Sequence, residues 1–191
     1  METKYDKQSL NDLNMEAMDE EPFQSYTVEP PSEDAAVIRQ NAIAKAARLL
    51  AFRSHSRQGL YRKLTQRGFP PPAVMAAIDR MEEIGVLDDQ IYGRSLADRL
   101  IKKGYGPLRV EMELYKAGIE RDLRDALVQA LPPEGELAAA FLRKTCAPED
   151  LLDEAYRRKL VGAMKRKGYG WSAVSESMRE YERMAPEERE E

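Results

Sequence analysis

Three ten-residue segments of the chain, Leu60–Phe69, Val110–Ile119 and Leu160–Tyr169, align without gaps at intervals of fifty residues. Each opens on an apolar residue and places a second four positions on. Gly follows after four more, and a large apolar side chain comes directly behind it. Self-similarity at a fixed period of this size marks stacked supersecondary units.

The spacing has a mechanical meaning. Apolar residues four apart share one face of a helix. Gly four positions later supplies the left-handed backbone of the C′ position, where a side chain would be strained. The next residue is C″, which in this helix stop packs on C3. The pattern therefore predicts three contacts: Phe69 on Leu64, Ile119 on Leu114 and Tyr169 on Met164.

The flanks read as helices as well. Ile43, Ala46, Ala47, Leu50 and Ala51 form a helical stripe ahead of the first segment, and Val74, Ala77, Ile78, Met81 and Ile84 form another behind it. Ser32 or Asp34 is placed to start the first helix. Asp88 or Asp89 is placed to cap a helix carrying Tyr92, Leu96 and Leu100, and Pro107 suits the first position of the next. Leu123, Leu127, Val128 and Leu131 give a sixth helix. Pro132-Pro133-Glu134-Gly135 then breaks the chain and is the expected hinge. Leu137–Lys144 form a seventh helix, Leu152 through Met164 line a long eighth, and Ser172 caps a ninth through Val174, Met178 and Tyr181. No apolar–polar alternation competes, so no sheet is expected. The predicted fold is all-α, an elongated array of three tandem three-helix repeats spanning 34–85, 86–131 and 136–182. Residues 1–33 are expected to be a disordered acidic tail, with one short helical stretch near Leu10–Met18, and 183–191 an acidic end.

Charge divides along the same lines. Residues 1–34 hold two bases and ten acids, a net charge of −8; residues 35–181 hold 26 bases and 19 acids, a net of +7; residues 182–191 hold two bases and five acids, a net of −3. A basic body favours polyanions and acidic protein surfaces. Other classes are disfavoured. One Cys cannot form an internal disulfide, and one Cys with one His is too few soft ligands for an ordinary zinc site. Asp88 and Asp89 pair two carboxylates, but helix capping explains them and no third ligand accompanies them. The chain has no phosphate-binding loop of the GxxxxGK[ST] type, no nucleophile elbow and no HExxH. No run of about 18 apolar residues is present, and the polar, acidic N-terminus lacks the order of a signal peptide. The expectation is a soluble cytoplasmic protein without cofactor, metal or catalytic residues.

The residues around the repeats carry a resemblance. His55-Ser56-Arg57, with Leu60, Leu64 and Arg67-Gly68-Phe69, resembles the first repeat of the RecX family, bacterial regulators of the RecA recombinase. Gly85-Val86-Leu87-Asp88-Asp89 with Tyr92 is similar to that family's link into its second repeat. Gly104-Tyr105-Gly106-Pro107, Leu114 and Lys116-Ala117-Gly118-Ile119 continue it. Arg157-Arg158-Lys159-Leu160 with Arg166-Lys167-Gly168-Tyr169 resembles the third. The resemblance covers about residues 40–181 in the family's order. Two departures stand out: Gly59, where the family usually has Glu, and Gly93, where Ala is usual. Gly inside a helix costs roughly 1 kcal/mol relative to Ala.

The resemblance implies a monomeric, non-catalytic modulator, in the main an inhibitor, acting in recombination regulation, DNA repair and the SOS response. It would bind the RecA filament on single-stranded DNA, lying in its helical groove. It would restrain filament growth, ATP hydrolysis and strand exchange, touching the DNA weakly and through the filament. Candidate contacts in the first repeat are Arg57, Arg62, Lys63 and Arg67. The second repeat offers Lys102, Lys103, Tyr105 and Arg109, beside Glu111 and Glu113. The third offers Arg157, Arg158, Lys159, Lys165, Arg166 and Lys167. A solvated helix face explains any one of these bases; contact is expected from their sum, since an exposed ion pair is worth only about 0–1 kcal/mol. Tyr105 is a candidate for stacking on bases, Tyr169 for packing, and Trp171 for packing or an interface anchor. His55 reads as a local hydrogen-bonding residue and Cys146 as a small buried hydrophobe. The same basic body is compatible with a nucleic-acid-binding helical module that has no recombinase partner. The repeats alone are compatible with a helical scaffold.

Overall fold

The computed structural model describes residues 33–184. The expected disordered tail, its short helix and Ser32 as a cap lie outside the described residues, as does the acidic end beyond residue 184. Among the described residues nine α-helices follow in order: α1 (Glu33–Phe52), α2 (Arg57–Thr65), α3 (Pro71–Glu83), α4 (Asp89–Lys102), α5 (Pro107–Lys116), α6 (Arg121–Gln129), α7 (Glu134–Thr145), α8 (Glu154–Lys167) and α9 (Trp171–Glu182). A 3-10 turn, Pro148–Leu152, precedes α8. The described residues contain no strand.

The helices gather around three apolar cores, one within α1–α3, one within α4–α6 and one within α7–α9. Each core has a short middle helix at its centre. Leu60 and Leu64 of α2, Val110 and Leu114 of α5, and Leu160 and Met164 of α8 are all buried. Burying such a side chain contributes roughly 1.5–3 kcal/mol, which short helices need because they are marginal alone in water. In the first core, Ala42 and Ala46 of α1 meet Ala73, Val74 and Ala77 of α3, and the small side chains let the two helices approach closely.

The repeated helix stop forms in all three copies. The Phe69, Ile119 and Tyr169 N–H groups donate to the Leu64, Leu114 and Met164 carbonyls at 3.4, 3.1 and 3.2 Å. The Gly68, Gly118 and Gly168 N–H groups donate to the Thr65, Tyr115 and Lys165 carbonyls at 2.9, 2.9 and 3.0 Å. Gly118 and Gly168 have φ of +79° and +89°, a region that side chains strain to enter.

Several local expectations change. α1 starts at Glu33, so Asp34 lies in its first turn and does not cap it. The buried stripe of α1 runs through Ala42 and Ala46; Ala47 and Ala51 are exposed, as is Ile84 after α3. The break before the third repeat ends at Pro133, and Glu134 and Gly135 belong to the first turn of α7. The long eighth helix is divided: Pro148 opens the 3-10 turn, extended Asp153 ends it, and the Asp153 carboxylate caps α8 by accepting from the Ala155 N–H at 2.7 Å. Gly170 caps α9 in place of Ser172, and its N–H donates to the Glu134 carboxylate at 2.6 Å. Asp88 is the cap of α4. Gly59 sits in the first turn of α2, where its N–H donates to the Ser56 hydroxyl at 3.0 Å, so it is not an interior helix breaker. Gly93 is buried, and a Cβ there would lie 2.5 Å from Leu127 Cδ1, so its small size admits Leu127.

The repeats join end to end through their middle helices. The end of α8 meets the start of α5: the Gly106 and Leu108 N–H groups donate to the Lys167 and Gly168 carbonyls at 2.9 and 3.2 Å. The end of α5 meets the start of α2: the Ser56 hydroxyl donates to the Ala117 carbonyl at 2.5 Å. Among the described residues, every hydrogen bond between repeats joins neighbours. The backbone bonds at α5 and α8 hold the second and third repeats directly, so the Pro132–Gly135 segment is not a free hinge.

The three helix-ending glycines are predicted to be unequal. A Cβ on Gly68 meets nothing within 4 Å, whereas on Gly168 it would lie 2.4 Å from the Arg109 backbone N and on Gly118 2.4 Å from Gln58 Cβ. Gly68→Ala should cost only the left-handed strain, about 1–2 kcal/mol. Gly118→Ala and Gly168→Ala should each cost about 1–3 kcal/mol more through overpacking. Chemical denaturation of the three variants, followed by circular dichroism, measures the difference.

Candidate functional site

The joints absorb part of the predicted basic surface. Arg57 opens α2, and its backbone N–H donates to the Asp89 carboxylate across the first joint at 2.7 Å. Its guanidinium pairs with Glu82 and, at 3.6 Å, with Asp79. The hydrogen bond to Glu82 holds the Arg57 pKa above its usual value. Burial pushes the Asp89 carboxyl upward, opposed by the Arg57 N–H. Arg62 donates to the Lys116 carbonyl at 3.3 Å, at the same joint.

At the second joint, Lys167 Nζ donates to the Lys103 carbonyl at 2.9 Å and lies 4.4 Å from the Tyr105 ring centre. Arg109 lies 5.5 Å from the same ring centre and pairs with Glu113 at 3.0 Å. Tyr105 is half-exposed and has two cations against its ring. Tyr169 packs as its position requires: it is buried, its ring is 5.8 Å from Phe141, and its hydroxyl lies 3.4 and 3.3 Å from the Gly104 and Leu137 carbonyls. Burial, and secondarily Glu134, pushes its pKa up to about 12.

The remaining candidates differ in freedom. Arg157 is paired with Glu182 at 3.2 Å. Arg67 and Arg158 bond to the carbonyls of Lys63 and Glu154, which leaves their charge uncompensated. Lys165 lies 4.7 Å over Trp171, which is 62% exposed at the start of α9. Lys63, Lys102, Lys103, Lys159 and Arg166 have no ion pair among the described residues. The structure does not gather these bases into one cluster; it distributes them over all three repeats. Two side-chain expectations also change. The buried His55 ring makes no hydrogen bond among the described residues, and Cys146 is only half-buried.

An apolar face lies outside the residues predicted from the sequence. On α5, Leu108, Met112 and Tyr115 stand 57%, 39% and 69% exposed on one side of the helix, opposite the buried Val110 and Leu114. With Glu111 and Arg124 they enclose a shallow hollow of about 220 Å³, and Arg124 lies 5.5 Å from the Tyr115 ring centre. The fifty-residue register contained the signal. The equivalent residues are Gln58, Arg62 and Thr65 on α2, and Arg158, Gly162 and Lys165 on α8. The second copy is apolar where the others carry polar or basic residues or glycine.

Among the described residues, no group of three His, Cys, Asp or Glu is placed to hold a metal ion, and no helix is long and apolar enough to cross a membrane. What remains is a helical-repeat protein whose distinctive features are one apolar helix face and bases spread along three joined units. Comparison with known proteins agrees. Residues 42–81 match the family description "RecX, first three-helix domain" and residues 88–127 "RecX, second three-helix domain". A regulatory protein RecX of Xanthomonas campestris is 31% identical over 136 residues, covering 71% of this chain and 84% of the relative. One of Pseudomonas fluorescens is 45% identical over 131 residues, covering 66% and 83%. The crystal structure of RecX from Lactobacillus salivarius superimposes with a TM-score of 0.67 at 14% identity, over 78% of this chain and 99% of that one. The chain belongs to the RecX family of regulatory proteins.

Tyr169 at the second joint provides a pH test. Its folded pKa of about 12 lies above the ordinary value of 10.0, so folding holds its proton more tightly than the unfolded chain does. The associated stability is fully present below pH 10 and should be lost as the pH rises from about 10 to 12. Tyr169→Phe should flatten that part of the stability–pH curve, which urea melts across the range would show.

Proposed function

We propose that this protein is a non-enzymatic modulator of the RecA recombinase that inhibits by lying in the groove of the RecA–single-stranded DNA filament. Membership of the RecX family carries the reading, because it makes the chain a regulatory protein. The three end-to-end repeats, with the proposed bounds 34–85, 86–131 and 136–182, give it a second support. A repeating polymer presents the same surface many times, and a binder made of repeats engages several subunits with individually weak contacts that gain from multivalency.

In this reading the α5 face is the anchor. Leu108, Met112 and Tyr115 dock on the recombinase, since apolar and aromatic side chains supply most of the energy of a protein interface. The uncompensated bases, Lys63, Lys102, Lys103, Lys159 and Arg166 among them, hold the flanking repeats near the polyanion. DNA is met weakly and through the filament. The protein works as a monomer in the cytoplasm and needs no cofactor.

Titration against ATP hydrolysis by the cognate RecA on single-stranded DNA tests this. Inhibition is expected, with affinity for RecA-coated DNA well above that for bare DNA. Met112→Ala/Tyr115→Ala should raise the half-inhibiting concentration roughly thirtyfold, corresponding to about 2 kcal/mol at an interface anchor. Lys159→Gln/Arg166→Gln should weaken inhibition at low salt and less at high salt, where charges are screened. No change in hydrolysis at saturation would defeat the reading. Equal affinity for bare and coated DNA would point to a nucleic-acid module without a recombinase partner.

A further inference from the structure

We propose that the cleft between the first and second repeats, walled by Arg53, Ser54, Tyr92, Ser95 and Arg99, binds a phosphate group of a single-stranded polynucleotide. The cleft has a volume of about 520 Å³, and none of its lining residues is acidic. Its two guanidinium groups come from different repeats. Arg53 lies just past the end of α1, and Arg99 stands on α4, in line with Tyr92 and Ser95 three or four residues apart on one helix face. Neither arginine has an ion pair among the described residues, and neither serine hydroxyl has an intramolecular hydrogen bond there. Arg57, Arg109 and Arg157 are each paired with an acid; these two arginines line an open cleft instead.

The chemistry of this donor set selects the ligand. Planar guanidinium forks match the oxygens of a phosphate, and the two hydroxyls add neutral donors of the kind a tetrahedral oxyanion also accepts. A carboxylate has one oxygen pair in one plane and suits one fork better than two forks with hydroxyls between. The volume exceeds that of one phosphate, which leaves room for a sugar and base beside the Tyr92 ring. Asp88 accepts the Ile91 N–H and lines the adjoining hollow, which shares Ser54, Tyr92 and Ser95, and not the cleft itself. The surroundings are electropositive: the neighbouring His55 is held below its ordinary pKa by burial and then by Arg53, Lys63 and Arg67. The cleft is also fixed in advance. The Ser56–Ala117 and Arg57–Asp89 hydrogen bonds hold the two repeats on either side of it, so little ordering remains to be done on binding.

Fluorescence anisotropy of labelled oligothymidylate with the full chain and no recombinase tests the site independently of the filament reading. Arg53→Gln/Arg99→Gln should weaken binding roughly tenfold, as expected for losing hydrogen bonds to a charged group. It should also lower the slope of log affinity against log salt by about 0.7, the value of one phosphate on a single strand. Arg143→Gln/Lys144→Gln, exposed bases on α7, should do neither. Because His55 is the sole histidine and lines the adjoining hollow two residues from Arg53, its proton resonance reports on the charge at the cleft. A bound phosphate should raise its titration midpoint in the wild type and not in Arg53→Gln/Arg99→Gln. The same upward shift with millimolar inorganic phosphate would mark a site for free phosphate as well as for the strand; a shift with oligothymidylate alone would mark a strand site. The proposal is overturned by absence of binding, by an unchanged affinity and salt slope in the arginine variant, by equal losses in the α7 variant, by an unmoved His55, or by polyglutamate competing as well as oligothymidylate.

Discussion

A helix that ends on left-handed glycine leaves a bare patch of backbone where a side chain would otherwise stand, and the three repeats of this protein are joined at such patches. Gly168 ends α8 and lies against the backbone of Arg109; Gly118 ends α5 and lies against Gln58. The carbonyls exposed at the end of one middle helix are met by donors from the start of another, from Gly106 and Leu108 at one joint and from Ser56 at the other. The partial negative charge of a helix C-terminus thereby faces the partial positive charge of an N-terminus. One short sequence pattern supplies the helix stop, the core contact of the following side chain and the space for the neighbouring repeat. Gly68, at the end of α2, has nothing packed where its Cβ would be, so in that copy only the conformational part of the role remains.

The joints also sort the charges. A net of +7 over residues 35–181 describes a composition, not a surface. Arg57, Arg62, Arg109 and Lys167 work inside the molecule, where they bond to carboxylates and carbonyls across or beside the joints. Arg57 and Arg109 are compensated by acids and offer little to a distant polyanion. The bases that stay unpaired lie on all three repeats, and two of them, Arg53 and Arg99, line one cleft. A basic chain of this kind holds its charge in several separate places, which suits an extended partner better than a compact one.

Repetition in sequence has been followed by divergence in surface. The buried positions of the middle helices remain alike, Leu60, Val110 and Leu160 in one row, Leu64, Leu114 and Met164 in the next. On the opposite face, the second copy exposes Leu108, Met112 and Tyr115 where the first and third carry polar or charged residues or glycine. Core positions are constrained by packing against the same unit and so keep their chemistry. Outer positions are free of that constraint, and a departure there from the copies on either side has no explanation in the fold itself.

Among the described residues, the periodicity alone determined the helix count, the all-α class and the three glycine stops, because these depend on contacts within a few residues of one another. It also identified Asp88 as a possible cap, Pro107 as a helix start and Tyr169 as a packing residue. It misjudged the start of α9 and the unity of the eighth helix, where the Gly170–Glu134 contact and the extended backbone of Asp153 decide. Only the tertiary structure decided which arginines are spent at the joints, that Arg109 and Lys167 lie against the Tyr105 ring, and that Arg53 and Arg99 line one cleft. Those outcomes depend on residues tens of positions apart being brought together, and the angle at which one helix end seats on another is not written in any local spacing.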